Sequence, residues 1–341
     1  MDKSQPTRLI DDAGKFNYGR FTKFVNHINP LEVKTFPWGC IPRFLKNLRL
    51  KEWHAYMIGN KQFYILIAAI NWKHVSMLKV LIYDKDNNQT WGTSEIIPLQ
   101  SIPVSEISNI GSFHIEYGKT TIYSDHHLAA DSLGFGFSFI DELSGSHISG
   151  CFEMGDVINE PQVSVLPLKN LGGMYTHKQI LSLSGEINVD SQHIKLKKED
   201  TCLMFDDQKV YYPYRTDWDW ATASCVIDGD YCGFTLSDVK SIKKNHNENG
   251  FWKSGKLHML PNVRFCRNKA SGTWSIVDEK GLVNVMFRPV MKHIIRRNFM
   301  VASVNYEGPL GWYSGHLTSE EGVTLHVNGM FGMGEKMNLR L

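Results

Sequence analysis

Hydrophobic and polar residues alternate along much of the chain with a period of two. The alternation is clear over residues 113–117 (FHIEY), 283–288 (VNVMFR) and 323–327 (VTLHV). Because successive side chains of a strand point to opposite faces, each segment predicts a half-buried β-strand. Residues 63–70 (FYILIAAI) form an uninterrupted apolar run that is too short to cross a membrane, and this run predicts a buried strand.

The segments between these runs favour tight antiparallel connections. Asp228 and Gly229 separate two strand-like runs, and an Asp-Gly pair tolerates positive φ at both central positions of a hairpin turn. Helical signals are few: residues 42–53 and residues 237–245 each predict one short helix. Short strands joined by such turns indicate an all-β fold of barrels or sandwiches.

The length of the chain suits two domains. It has 341 residues, enough for two ordinary domains. Residues 159–173 carry two prolines and two glycines and form the predicted junction. We therefore predict an N-terminal domain over residues 1–165 and a C-terminal domain over residues 166–341. Each half has about the length of a closed antiparallel barrel of about eight to ten strands.

Composition and charge exclude several classes of partner. Apolar residues make up 42% of the chain and charged residues 21%, which is typical of a soluble globular protein. The formal net charge is +2, too small to recruit nucleic acid or an anionic membrane by charge. The sequence shows no signal-peptide run and no apolar run of membrane-spanning length. We therefore expect a cytoplasmic protein without nucleic-acid binding or integral membrane association.

The sequence predicts neither a metal nor a cofactor. Its six cysteines are scattered without a C-x-x-C pair, which favours reduced, structural thiols over a zinc site or a disulfide framework. No phosphate-binding loop, zinc-protease motif or nucleophile elbow occurs. Residues 84–95 resemble a calcium loop, but Gln89 stands where that loop needs glycine, so a solvated hairpin is favoured. His126 and His127 are sequence neighbours whose side chains would point apart on a strand, so they are not expected to bind one metal ion together.

Residues 211–220 (YYPYRTDWDW) are the most unusual stretch of the sequence. On a strand, the aromatic rings would project from one face, and an arginine and two aspartates from the other. This arrangement fits a strand of the core, and it equally fits the aromatic wall of a ligand cavity. The candidate ligand-binding residues are Tyr212, Tyr214, Trp218 and Trp220.

The same stretch carries a family resemblance. YYPYRTDWDWATAS is followed by GDYCGFTL, NENGFWKSGKLHMLPNVRF, GLVNVMFRP and GWYSGHL, and the series resembles the C-terminal half of the domain of unknown function 2804 family. RLKEWHAY, GSHISG and YTHKQILSLSGEI, which lie upstream, are also similar to signatures of that family. The resemblance covers nearly the whole chain after about residue 16 and rests on many separate motifs in one order.

That family is distantly similar to the AttH-like and carotenoid hydratase proteins. The resemblance implies two tandem lipocalin-like (calycin-type) antiparallel β-barrels with few short helices. In those relatives, polar residues line a cavity for a greasy substrate. Only WDW and the preceding residues 205–207 (FDD) can be placed on that pattern, and the histidine-tryptophan motif of the hydratase is not evident here.

The resemblance also suggests a chemistry. Water addition to an isolated alkene, or its isomerisation, starts with proton transfer to carbon, which requires a carboxylic acid kept neutral in an apolar pocket. Asp206 and Asp207 are the candidate acids, and His177 is the candidate holder of a water molecule. The predicted aromatic wall would stabilise the resulting cation by about 2 kcal/mol or more for each desolvated ring.

Two functions therefore compete at this point. In the first, a barrel cavity receives a hydrophobic small molecule such as a lipid or terpenoid, and the protein either binds it only or catalyses a lyase (hydratase) or isomerase step. In the second, the protein is a non-catalytic structural or partner-binding protein whose barrels are filled with side chains. The volume of a cavity distinguishes the two.

Overall fold

Two large antiparallel sheets contain most of the chain in the computed structural model, which describes residues 5–98, 110–169, 172–243, 245–298 and 303–340. The predicted all-β fold with few short helices is confirmed, and two large antiparallel sheets stand where the family resemblance implies two tandem barrels.

The first sheet has thirteen strands in the described residues. They are β1 (Gly19–Phe21), β2 (Lys51–Gly59), β3 (Phe63–Asn71), β4 (Val75–Asp84), β5 (Gln89–Pro98), β6 (Ile110–Tyr117), β7 (Thr120–His127), β8 (Ser132–Ile140), β9 (His147–Ile158), β10 (Gln162–Pro167), β11 (Gly173–Val189), β12 (Gln192–Leu196) and β13 (Cys202–Val210).

The first sheet curls round its own core. Its order is β5-β4-β3-β2-β13-β11-β9-β8-β7-β6, with β10 and β12 also pairing with β11, and β1 with β10. The two ends of the sheet lie close together, as a hydrogen bond from Thr120 Oγ1 on β7 to Glu95 Oε1 on β5 at 3.2 Å shows. Inside lies a cluster that includes Tyr56, Phe135 and Phe205.

The second sheet has twelve strands in the described residues. They are β14 (Arg215–Ile227), β15 (Asp230–Ser237), β16 (Gly250–Lys253), β17 (Lys256–Met259), β18 (Arg264–Arg267), β19 (Trp274–Val277), β20 (Val283–Met291), β21 (Ile294–Asn298), β22 (Ser303–Glu307), β23 (Leu310–Thr318), β24 (Thr324–His326) and β25 (Phe331–Arg340). Their main order is β17-β16-β15-β14-β25-β23-β20-β19-β18.

The predicted turn between β14 and β15 is present. Ile227 pairs with Asp230, and the two residues between them, Asp228 and Gly229, have φ of 50° and 81°. Positive φ at both centres is the backbone geometry that the Asp-Gly pair predicts.

Helices are short and lie mainly near the N-terminus. In the described residues they are α1 (Arg43–Arg49) and three 3₁₀ turns at Pro30–Glu32, Trp38–Cys40 and Leu128–Ala130. Among the described residues, none of these helices has the length and hydropathy needed to cross a bilayer.

The prediction of a second helix over residues 237–245 is wrong for the described part of that range. Ser237 ends β15, and its hydroxyl oxygen accepts a hydrogen bond from the backbone amide of Val239 at 3.1 Å. Ser241 then forms a bridge with Leu168. A side-chain bond of this kind competes with the helical pattern of backbone bonds.

The chain changes sheets between Val210 and Arg215. The predicted domain boundary between residues 165 and 166 lies inside β10, which pairs with β1 and β11 of the first sheet. β11 and β13 follow the proline- and glycine-rich segment and are central strands of the first sheet, where they join β9 to β2. Residues 170 and 171 of the predicted junction lie outside the described residues. A domain division remains a prediction.

The outer faces of the two sheets pack together in a third core. Along β2, His54 and Tyr56 face the interior of the first sheet, whereas Trp53 and Met57 face the second sheet. Along β3 both faces are apolar, because one faces the barrel interior and the other faces the second sheet. This double burial explains the uninterrupted run of residues 63–70 and confirms the predicted buried strand.

Candidate ligand-binding site

A cavity of about 470 Å³ opens in this third core. Its walls come from the outward faces of β2, β3, β4 and β13 in the first sheet and of β14, β22 and β25 in the second. Val75 and Ile96 lie at its opening and are 37% and 53% exposed. The lining is mainly apolar and includes Met57, Leu66, Ala68, Trp220, Met333 and Leu339.

The location differs from the expected one. The resemblance implies a cavity inside a barrel, whereas this cavity lies between the outer faces of the two sheets. The reason is that β2, β3 and β4 carry apolar side chains on both faces of the first sheet. One face is buried inside the first sheet, and the other is buried only when the second sheet packs against it. The interior of each sheet holds a separate hydrophobic cluster.

Three of the four predicted aromatic residues line the cavity. The rings of Tyr212 and Trp218 are stacked with centroids 5.1 Å apart, and Trp53, which the sequence analysis did not select, stacks on Trp218 at 6.4 Å. Trp220 also lines the cavity, and its Nε1 donates to Thr235 Oγ1 at 2.8 Å. These aromatic side chains together form one part of the cavity lining.

Tyr214 does not belong to this wall. It is 50% exposed and lies outside the cavity lining. Its placement with the tryptophans assumed one continuous strand over residues 212–220, but β14 begins only at Arg215. The period-two rule therefore does not extend across Pro213 and Tyr214, because these residues lie outside the strand.

Asp206, one of the two candidate acids, faces the cavity within an ion-pair network. Lys178 Nζ lies 2.7 Å from Asp206 Oδ1 and 3.5 Å from Glu248 Oε2, and all three side chains are buried. Gln208 Nε2 donates to Asp206 Oδ1 at 3.3 Å. Burial opposes the charge of Lys178, but the two carboxylates outweigh it and raise the pKa of this lysine. Asp206 is therefore held in the wall by Lys178 and Gln208.

Glu335 is the carboxyl group that the sequence analysis missed. It lines the cavity from β25, and its Oε1 accepts a hydrogen bond from Trp218 Nε1 at 2.6 Å. Burial raises the pKa of Glu335 to about 7, and the Trp218 bond offsets this rise only in part. A sequence signal existed, because Glu335 stands among Met333, Met337 and Leu339 on the same face of one strand.

A buried lysine lines the wall that the first sheet supplies. Lys79 lies on β4 with 6% of its surface exposed, and its Nζ is 5.3 Å from the centroid of the Tyr306 ring. Burial lowers the pKa of Lys79 to about 8, although the charge of Glu335 acts in the opposite direction. Together, Glu335 and Lys79 place an acid and an amine in one apolar cavity.

The other two candidate catalytic residues face away from this cavity. Asp207 and His177 are cross-strand partners on β13 and β11, and Asp207 also pairs with His54 on β2. His54 Nδ1 lies 3.5 Å from Asp207 Oδ1, and His54 Nε2 lies 2.7 Å from the Tyr56 hydroxyl. Adjacent residues of a strand point to opposite faces, so Asp206 and Asp207 cannot share one site.

The environment of Asp207 does not suit a proton donor at neutral pH. Burial raises its pKa, but the His54 bond and the charge of Lys209 outweigh burial, so the pKa of Asp207 is lowered overall. His126 stacks on His54 at a centroid distance of 5.1 Å. The described residues contain no group of three or more His, Cys, Asp or Glu side chains arranged to hold a metal ion.

The fold and the site define an all-β protein with an apolar cavity between two antiparallel sheets. The chain belongs to the family described as domain of unknown function (DUF2804), whose model matches residues 2–341. The family resemblance found in the sequence is therefore confirmed. A comparison with curated proteins gives no match.

Two solved structures are similar to this chain to different extents. Kievitone hydratase from Nectria haematococca is 10% identical with a TM-score of 0.45, and the match covers 85% of this chain and 88% of the hydratase. CdiB from Acinetobacter baumannii is 8% identical with a TM-score of 0.19, and the match covers 85% of this chain and 60% of CdiB.

Proposed function

We propose that this protein binds a hydrophobic small molecule, lipid-like or terpenoid-like, in the cavity between its sheets and transfers a proton to it from Glu335. The observation that carries the proposal is an apolar cavity of about 470 Å³ that holds a carboxyl group with a pKa near 7. Ligand pockets in proteins commonly have volumes of about 300–1,000 Å³. The volume favours a ligand over the alternative of a structural protein with filled barrels.

The proton transfer belongs to hydratase- or isomerase-type chemistry. Neutral Glu335 gives its proton to one carbon of a C=C bond, and the electron pair of that bond forms the new C–H bond. The neighbouring carbon becomes a cation, which the ring faces of Tyr212 and Trp218 stabilise by about 2 kcal/mol. Water then adds to the cation and returns a proton to the carboxylate, giving an alcohol. Loss of a different proton gives the isomeric alkene.

Filling the cavity tests the binding step. Ala68 on β3 lines the cavity, so Ala68→Phe places a ring in open space while the rest of the wall stays in place. We expect farnesol, a hydrophobic probe, to quench the tryptophan fluorescence of the wild type in a saturable way, and we expect A68F to bind it at least tenfold more weakly.

The matched control is Met286→Phe, because Met286 is 52% exposed on β20 and lies outside the cavity. Melting curves establish that both variants fold. Equal farnesol affinity in the wild type, A68F and M286F, or no saturable binding by the wild type, would contradict the proposal.

A further inference from the structure

Lys79 differs from the other buried lysines in its partners. Among the described residues, two of those lysines bind carboxylates: Lys178 binds Asp206 and Glu248, and Lys209 binds Glu52. The other two bind backbone carbonyls: Lys46 that of Val33 and Lys51 that of Leu48. Lys79 instead lies over the Tyr306 ring. In the described part of the chain, no carboxylate oxygen lies within 4.0 Å of Lys79 Nζ, so this lysine forms no ion pair there.

This environment favours the uncharged amine. A buried ammonium group loses its hydration, and a ring face replaces only part of it. Burial lowers the pKa of Lys79 to about 8, so a substantial fraction of the side chain is a free amine at mildly alkaline pH. An unprotonated amine in an apolar pocket is a nucleophile toward carbonyl carbon.

The space beside Lys79 is open on the cavity side. Its cross-strand partner on β3 is Ala68, one of the smallest side chains of the lining, and Met77 lines the cavity two residues earlier on β4. Glu335 lines the same cavity from the second sheet and interacts electrostatically with Lys79. A ligand between the sheets therefore lies between an amine and a carboxyl group.

We propose that Lys79 forms a Schiff base with the carbonyl carbon of a hydrophobic aldehyde or ketone bound in this cavity. The inference rests on the proposed function, because the cavity must first accept the ligand. It narrows the ligand class to apolar molecules that carry a carbonyl group.

The step balances with the groups that line the cavity. The lone pair of Lys79 Nζ forms the C–N bond, and one proton moves from the nitrogen to the carbonyl oxygen, giving a carbinolamine. Neutral Glu335 then protonates the hydroxyl group, which leaves as water, and the nitrogen lone pair forms the C=N bond. The products are a cationic iminium, the Glu335 carboxylate that neutralises it and one water molecule.

In a conjugated ligand the iminium reverses the order of the proton chemistry: water attacks the electron-poor alkene first, and Glu335, now a carboxylate, accepts the proton. In a ligand whose C=C bond is conjugated to the carbonyl group, a cationic C=N bond withdraws electrons from the alkene. Water then adds more readily at the alkene carbon that is farther from the C=N bond. A proton is also lost more readily from the saturated carbon attached to that alkene carbon. An unsaturated aldehyde or ketone is therefore the substrate class that both groups favour.

Reductive trapping with farnesal, the aldehyde related to farnesol, tests the inference. The full chain is incubated with farnesal and sodium cyanoborohydride, which reduces the C=N bond to a stable secondary amine, and the modified lysine is located by peptide mass spectrometry. We expect one adduct per chain at Lys79, at least tenfold reduced by excess farnesol or by A68F. Its rate should be greatest between about pH 7 and pH 8, because the amine must be free while Glu335 still holds its proton.

Lys85 provides the matched control within the same chain. Burial also lowers its pKa to about 8, but it lies outside the cavity and donates to the Asn60 carbonyl oxygen. Equal labelling of Lys79 and Lys85, or adducts spread over surface lysines, would overturn the inference. Saturable farnesol binding without an adduct at Lys79 would overturn the inference and leave the proposed function standing, whereas absence of both would overturn both.

Discussion

Asp206 and Glu335, two of the three carboxyl groups that line the cavity, show how the surroundings of a residue decide its chemistry. Asp206 Oδ1 lies 2.7 Å from Lys178 Nζ, so this carboxyl group is paired with a buried amine within the wall. Glu335 instead accepts a bond from the uncharged Trp218 indole, and burial raises its pKa to about 7. Glu335 lines the cavity, and its pKa of about 7 leaves a fraction of neutral acid at physiological pH.

Glu335→Gln should abolish proton transfer and retain binding. In heavy water, we expect the wild type to incorporate deuterium into farnesol and E335Q to lose at least 100-fold of that rate, because glutamine has no acidic proton. Farnesol affinity should change less than about threefold, because the glutamine oxygen still accepts from Trp218.

The pH profile gives a second criterion for the same residue. The donor must be protonated, so the wild-type rate should fall tenfold per pH unit above about pH 7. Glu307→Gln, on β22 and outside the cavity lining, is the control and should leave the rate unchanged. Deuterium incorporation by E335Q at the wild-type rate would remove Glu335 from the chemistry.

At the scale of elements, β25 is the strand on which the second wall depends. It pairs with β14 and β22, and its face toward the first sheet carries Met333 and Glu335. Gly332 lets β25 approach β14 closely, because a Cβ at this position would contact the Thr222 carbonyl oxygen and the Ala223 side chain. The position of Glu335 therefore depends on a close contact between backbones.

Gly332→Ala should destabilise the protein by about 1–3 kcal/mol, since an added methyl group in a tight contact forces the two strands apart. The free energy of unfolding in urea measures this change. Gly134→Ala on β8 is the matched control, because a Cβ there meets no described atom within 4 Å. Equal stability of G332A and G134A would show that β25 and β14 do not need this contact.

At the scale of the whole molecule, polar groups are buried in two separate places. One set lines the cavity between the sheets, and the other, with His54, His126 and Asp207, lies inside the first sheet. Burial lowers the pKa of His126 to about 3, and the charge of His54 acts in the same direction. The folded protein therefore resists protonation at a position that the unfolded chain protonates readily.

The protein should lose stability as pH falls below about 6.5. Between the unfolded pKa of 6.5 and the folded value of about 3, the unfolded chain binds more protons at His126, so lowering the pH favours unfolding. At pH 4.5 this residue alone should cost about 2–3 kcal/mol, since one pKa unit corresponds to about 1.4 kcal/mol. Urea unfolding at pH 7 and pH 4.5 measures the difference.

His126→Gln should reduce this dependence on pH, even if it lowers the stability at both pH values. His114→Gln is the control, because the His114 side chain is 61% exposed. A pH dependence identical in the wild type and H126Q would show that the buried histidine is not the cause.

The sequence alone determined the local structure well. Alternation over residues 283–288 identifies a strand, the Asp228-Gly229 pair identifies a hairpin, and the run over residues 63–70 identifies a strand buried on both faces. These predictions succeed because the direction of a side chain and the conformation of a turn depend on neighbours in the sequence. The ordered motifs likewise sufficed to identify the family.

Only the tertiary structure decided which face of each strand meets which partner. Asp206 and Asp207 are neighbours in the sequence, but their side chains lie on opposite sides of β13. Glu335 contacts Trp218 although the two residues are 117 positions apart in the sequence. The alternation that separates the two faces of a strand carries no information about what covers each face. That choice depends on the packing of one sheet against the other, and this packing creates the cavity.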